Sequence, residues 1–222
     1  MSSSTPPAMP PSTPPAMPPI DQRVLPRERL APIIAERQAS GARCVFTNGV
    51  YDLLHIGHIQ LLARARALGD LLVVGVNSDA STRRLKGPSR PLIPQEERAA
   101  MLAALTMVDY VTIFDEDTAG ETITALRPAI YVKGGDYAAV NPSERDHDYL
   151  VGPADLQRLA TGQPPADERL AALGGLVERL PEASVVASYG GSLALLAYLP
   201  GHSTTELIER IISRYAPGQT PE

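Results

Sequence analysis

One cysteine, no tryptophan and two phenylalanines stand in a chain of 222 residues. The single thiol, Cys44, excludes a disulfide framework and a cysteine-based zinc site. No apolar run reaches the ~18 residues that a membrane span needs, and the N-terminus has no basic region followed by an apolar one. Neither a membrane partner nor a secretory leader is therefore expected, and a cytoplasmic, reducing compartment is. Lysine is nearly absent: Lys86 and Lys133 are the two, and arginine supplies the rest of the 20 basic side chains. Against 25 acidic residues the net charge is −5, which argues against nucleic acid as the main partner. The chain also lacks Gly-x-x-x-x-Gly-Lys-Ser/Thr and Gly-x-Gly-x-x-Gly, so phosphate-loop hydrolysis and dinucleotide redox chemistry lose their sequence signals. What is present, 44% hydrophobic and 20% charged residues, is the balance of a globular chain with a core to bury.

Residues 1–20 hold no charge, and the octapeptide STPPAMPP at 4–11 repeats at 12–19. Such a stretch cannot bury a core and reads as a disordered, polyproline-like tail ahead of one domain over 21–222. From Arg43 onward, short β-rich apolar runs (Cys44–Phe46, Leu71–Val76, Tyr110–Phe114, Ala129–Val132) alternate with helical patterns at His58–Leu68, Gln95–Leu105 and Ala119–Leu126. Alternating strands and helices predict right-handed βαβ units: an α/β, Rossmann-like parallel sheet with helices on both faces. Ligands of such sheets gather at the carboxyl ends of the strands. Residues 141–182 interrupt the rhythm as an acidic insert, whose leucines suggest two amphipathic helices broken at Gly162–Pro165. Those leucines need a buried face, on the domain itself or on a second copy in a homodimer. The acidic charge predicts that the insert stays out of a phosphate-binding pocket. The rhythm resumes with runs at Ser184–Ala187 and Ser192–Leu199 and a last helix from Ser203 to Tyr215.

Four places carry chemistry. The first strand runs into Thr47-Asn48-Gly49-Val50-Tyr51-Asp52, and then His55-Ile56-Gly57-His58 opens a helix. A helix start offers free N–H groups and a positive dipole end, two imidazoles add donors, and Gly57 lets a phosphate approach closely. The alternative is a capping turn with two incidental histidines. Lys86 sits with Arg83, Arg84 and Arg90, four cations in eight positions of an acidic chain. They read as an anion site or as a solvated basic loop. Lys133-Gly134-Gly135-Asp136 follows a strand, where paired glycines can turn backbone groups toward a base and Asp136 can accept from an amine. Ser203-Thr204-Thr205 opens the last helix as a phosphate cradle, and Ser203-x-x-Glu206 is also a capping box. His147 and His202 carry no comparable pattern.

The order of these stretches, FTNGVYDLLHIGH at 46–58, NSDAS and RRLKG within 65–92, VKGGDY at 132–137 and GHSTTELI at 201–208, resembles the His-x-Gly-His nucleotidyltransferase superfamily in its cytidylyltransferase-like branch. Within it the chain is most similar to the adenylyltransferase domains of bacterial ADP-heptose synthesis, which act on D-glycero-β-D-manno-heptose 1-phosphate. The resemblance implies transfer of a nucleotidyl group from a nucleoside triphosphate, ATP favoured, to a sugar phosphate, with Mg²⁺ on the triphosphate and a separate sugar kinase in the pathway. It implies catalytic roles for His55, His58 and Lys86, and nucleotide binding by Thr47, Asn48, Gly49, Tyr51, Asp52, Gly57, Lys133, Gly134, Asp136, Ser203, Thr204 and Thr205. Asp52 is also a candidate metal partner. Two other readings stand beside this one: a CTP-dependent transferase for a polyol phosphate such as glycerol 3-phosphate, and a nucleotide-binding regulatory module without turnover. Cytidylyltransferase relatives carry an arginine where this chain has Tyr198, which counts against the first.

Overall fold

Every residue of Leu71–Asn77 is buried, the mark of a strand covered on both faces, and it lies inside the sheet that this pattern predicts. The computed structural model describes residues 18–135, 148–197 and 204–215; the proline-rich repeat up to residue 17, Asp136, His147, His202 and Ser203 lie outside them. Six strands, β1 (Cys44–Gly49), β2 (Leu71–Asn77), β3 (Tyr110–Phe114), β4 (Ile130–Gly135), β5 (Tyr149–Val151) and β6 (Ser192–Ala197), form one sheet in the order β3-β2-β1-β4-β6-β5. All neighbours are parallel except β5, which closes the edge antiparallel to β6.

Alternation along the strands divides the core between the two faces. Cys44, Phe46, Val73, Tyr131, Leu193 and Leu195 face one side, packed with α1 (Arg27–Ala39), α5 (Gly120–Leu126), α6 (Pro153–Ala160) and α8 (Pro181–Ser188). Val45, Leu72, Val74, Val132, Ala194 and Leu196 face the other, under α2 (Ile56–Arg66) and α4 (Gln95–Ala103). Three more α-helices, α3 (Asp79–Lys86), α7 (Gly174–Val177) and α9 (Thr204–Tyr215), and two short 3-10 helices at Ile20–Gln22 and Glu168–Leu173 complete the description. Strand β1 has β2 on one side and β4 on the other, so the winding reverses there and leaves a crevice at the carboxyl ends. Among the described residues no helix is long and apolar enough to cross a membrane.

The insert is part of this core. Val151, Leu156, Leu159, Leu170, Leu173 and Val177 are buried in the cluster that holds Phe46 and Tyr131, so the leucines find their apolar face on the domain itself. The break expected at Gly162 is real: Gly162 has φ +72 and follows the α6 C-cap at Thr161, a conformation that suits glycine. The run Ser184–Ala187, expected to resume the strand rhythm, is instead the body of α8. Pro181 occupies its first turn, and Ala183, Val186 and Ala187 pack inward at helical spacing.

Candidate active site

The carboxyl ends of β1, β2 and β4 open into one cavity of about 720 Å³. Asn48, Gly49, Asn77, Lys133 and Gly134 line it from the strand ends; Tyr51, Asp52 and His55 come from the β1–α2 connection, His58 from the first turn of α2, and Thr204 and Thr205 from the start of α9. Thr47 and Gly57 are buried and are not among its lining residues. Thr47 shares the strand parity of Val45 and turns inward, while Gly57 sits in the first turn of α2.

His55 is the N-cap of α2 in extended conformation, and its carbonyl accepts the His58 N–H at 3.0 Å. Side chains at N-cap and N3 face each other across a helix start, so the His-x-Gly-His spacing brings the imidazoles together. Their ring centroids are 3.9 Å apart and the planes 28° from parallel. Tyr51, held at φ 52, presents its ring edge to His58 at 5.2 Å. Burial, and then the charge of His55 when protonated, pulls the His58 pKa down from 6.5 to about 4, against a weaker opposing hydrogen bond to the Leu53 backbone. At neutral pH His58 is therefore an uncharged donor in the ligand-free protein.

The cations sort themselves by partner. Arg84 pairs with Asp117 at 2.7 Å and reaches the Asp115 backbone, whereas Lys86 and Arg90 line the cavity. Asp52, 1% exposed, places Arg90: its Oδ2 lies 2.7 Å from Arg90 Nε, while Oδ1 accepts the N–H groups of Leu92 and Ile93 at 2.7 and 3.0 Å. Buried Arg98 donates to the carbonyls of Ile93 and Val50 and to Asp79, tying the same loop to the histidine turn and to α3. Through these contacts the Asp52 carboxylate organises the cationic loop that carries Arg90. Among the described residues, no group of three or more His, Cys, Asp or Glu side chains could hold a metal ion.

At the end of β4, Lys133 Nζ donates to the Tyr131 hydroxyl at 3.3 Å, and that hydroxyl donates to Asn48 Oδ1 at 2.8 Å. Glu182 Oε1 lies 3.9 Å from Lys133 Nζ. Leu180, Pro181 and Glu182 line the cavity, which corrects the expectation that residues 141–182 stay out of it. Net charge misled here because Glu182, the one acid of the insert's described residues that enters, is matched locally, by Lys133 and by the Ala119 N–H at 3.3 Å. Thr118 has no sequence signal as a site residue, and Glu182 has only an indirect one. Reading Pro181 as a helix start would have pointed to Glu182.

The family model described as cytidylyltransferase-like matches residues 46–210. The "Bifunctional protein HldE" of Geobacter sulfurreducens is 47% identical over 195 residues, covering 88% of this chain and 32% of that protein. Its namesake in Syntrophotalea carbinolica is 46% identical over 198 residues, covering 89% and 33%. A solved lipopolysaccharide core biosynthesis protein from Thermoplasma volcanium aligns with 46% of this chain and 85% of its own at 33% identity and TM-score 0.39. The chain thus spans about a third of the length of the curated relatives it matches. Together with the parallel sheet and the stacked histidines at its switch point, the match over most of the chain shows that it belongs to the cytidylyltransferase-like family of nucleotidyltransferases.

Proposed function

We propose that this domain joins a nucleoside triphosphate, ATP favoured, to a sugar phosphate of the heptose 1-phosphate type and releases pyrophosphate. The observation that carries the reading is the single cavity in which the stacked His55–His58 pair meets Lys86, Arg90, Lys133 and the Thr204–Thr205 helix start. An oxygen of the acceptor phosphate attacks the α-phosphorus in line. The new O–P bond forms as the bond to the β-phosphate bridging oxygen breaks, and pyrophosphate leaves. No side-chain nucleophile is needed. Cys44 is buried in the core and its thiol is pushed up to about 12, so it is not one. Catalysis then rests on positioning and on donors aimed where charge develops. His55 and His58 serve the α-phosphate, Lys86 and Arg90 the triphosphate, and Thr204 and Thr205 the leaving pyrophosphate. Mg²⁺ would arrive with the triphosphate and neutralise part of its charge, and among the described residues Asp52, Asp117 and Glu182 are the carboxylates that line the cavity. The acceptor arrives already phosphorylated, the product of a sugar kinase.

The resemblance to adenylyltransferase domains of ADP-heptose synthesis, and Tyr198 where cytidylyltransferase relatives carry an arginine, support an adenylyltransferase over a cytidylyltransferase. Pyrophosphate release measured in parallel with ATP and CTP, each with D-glycero-β-D-manno-heptose 1-phosphate and with glycerol 3-phosphate, tests the assignment. Release with ATP and the heptose phosphate is expected. Release only with CTP and glycerol 3-phosphate would transfer the chain to polyol chemistry, and binding without release would make it a regulatory module.

The two lysines separate by what they face. Lys86→Ala weakens the triphosphate more than the monophosphate of the same nucleoside, since it removes an interaction with phosphate charge. Lys133→Ala shows less dependence on phosphate number, because Lys133 sits at the base and acceptor end. Titrations of AMP, ADP and ATP against both variants check this, and equal phosphate dependence would cancel the distinction.

A further inference from the structure

The cavity has two unlike walls. The histidine pair belongs to α2, which packs on the face of Val45, Val74 and Val132. The opposite wall is built on the other face. Lys133 follows Tyr131 by two positions on β4, and Asn48 follows Phe46 by two on β1, so strand alternation sets both toward the side of α5 and α8. There Asn48, Tyr131 and Lys133 form a hydrogen-bonded chain that ends 3.9 Å from Glu182, supplied by the first turn of α8.

Glu182 is 3% exposed yet lines the cavity. A carboxylate is a poor neighbour for a polyphosphate, which it repels, and an acceptor suited to hydroxyl donors. Lys133 beside it can meet one phosphate. The wall therefore combines one cation with one hydroxyl acceptor, while the histidine side carries the imidazole pair and Arg90, whose partner Asp52 sits in the same connection, and suits a chain of phosphates. A hydroxylated ring bearing a single phosphate matches the first wall, and a triphosphate matches the second.

We propose that the Lys133–Glu182 wall is the acceptor subsite, with Lys133 facing the acceptor phosphate and Glu182 accepting hydrogen bonds from the ring hydroxyls of a sugar phosphate. The proposal rests on the transfer reading above and adds to it a residue that selects the acceptor. It also explains why α8 reaches the cavity: the insert delivers that helix, and the helix delivers the carboxylate.

Glu182→Gln is the informative substitution, because the amide oxygen can still accept from the Ala119 N–H. A charge-assisted hydrogen bond lost from a substrate costs about 10- to 100-fold in affinity. KM for D-glycero-β-D-manno-heptose 1-phosphate is expected to rise by about that factor, while KM for ATP stays within about twofold. Equilibrium binding of the heptose phosphate to nucleotide-free protein should fall in parallel, with ATP binding unchanged. A rise shared equally by both substrates would overturn the proposal, since Glu182 would then act through the general shape of the site. An unchanged heptose phosphate KM would overturn it too. Melting curves certify the fold of the variant, and Glu182→Asp, which keeps the charge and shortens the reach, provides a second reading of the same split. If wild-type protein releases no pyrophosphate with any acceptor, the transfer reading falls, and the two binding titrations still decide the subsite.

Discussion

Replacing His58 with alanine lowers kcat about 10²-fold or more, while nucleotide affinity changes far less. The expectation follows from where the ring is and which form it takes. His58 lies at N3 of α2, stacked 3.9 Å from His55 and flanked by the edge of Tyr51, so its orientation is set before any ligand arrives. In the ligand-free protein its pKa is depressed to about 4 by burial and by its neighbour, so it carries no charge with which to attract a ground-state phosphate at pH 7. It contributes as a positioned donor, and its interaction grows as negative charge builds on the α-phosphate oxygens. Single-turnover rates and nucleotide titrations on wild type and His58→Ala separate the two effects. Equal losses in binding and turnover would recast the histidine as a ground-state anchor.

The same depression has a pH signature in stability. Between the ordinary histidine pKa of 6.5 and about 4, the unfolded chain holds a proton at His58 that the folded chain does not. Stability contributed by the neutral ring is therefore present above about 6.5 and lost as pH falls toward 4. Melting temperatures of wild type and His58→Ala followed across that interval should converge on the acid side relative to their separation at pH 7. A constant separation would show that His58 titrates normally in the folded state.

What could be read from sequence was what short-range geometry decides. His55 and His58 meet because N-cap and N3 face each other in any helix start, and the strands of the parallel sheet announce themselves by runs apolar on both faces. What escaped depends on partners distant in the chain. Arg90 stands out from Arg83 and Arg84 through Asp52, and Arg84 is turned away by Asp115 and Asp117. Glu182 joins the site through Lys133 and Ala119. Helix α1 gave little signal, since Pro32 stands inside its sequence and only Leu30 and Ile34 form a fully buried stripe. Ser184–Ala187 looked like a strand because a short apolar run has no period of its own, and Pro181 was the deciding residue.

Truncating Leu173 to alanine should destabilise the protein as severely as a core substitution in the sheet itself. Leu173 has no exposed surface and belongs to the same cluster as Phe46, Tyr131, Leu156 and Leu159, so the insert is continuous with the core. A buried leucine reduced to alanine costs about 2–5 kcal/mol, through lost transfer energy and the cavity left behind. In a domain of this size that corresponds to a fall of roughly 4–20 °C in Tm. Leu150, on the edge strand β5 of the same insert, is 56% exposed, and Leu150→Ala should shift Tm by less than a few degrees. Excising 141–182 in favour of a short linker removes Val151, Leu156, Leu159, Leu170, Leu173 and Val177 together, and with them the entry to α8 and Glu182. The excised protein should lose cooperative melting along with turnover, since total stabilities of about 5–15 kcal/mol cannot absorb such a loss. Thermal melts of Leu173→Ala, Leu150→Ala and the excised chain decide the matter. A Leu173→Ala protein that melts within a degree of wild type, or an excised chain that stays folded and active, would show the insert to be an appendage laid on a core complete without it.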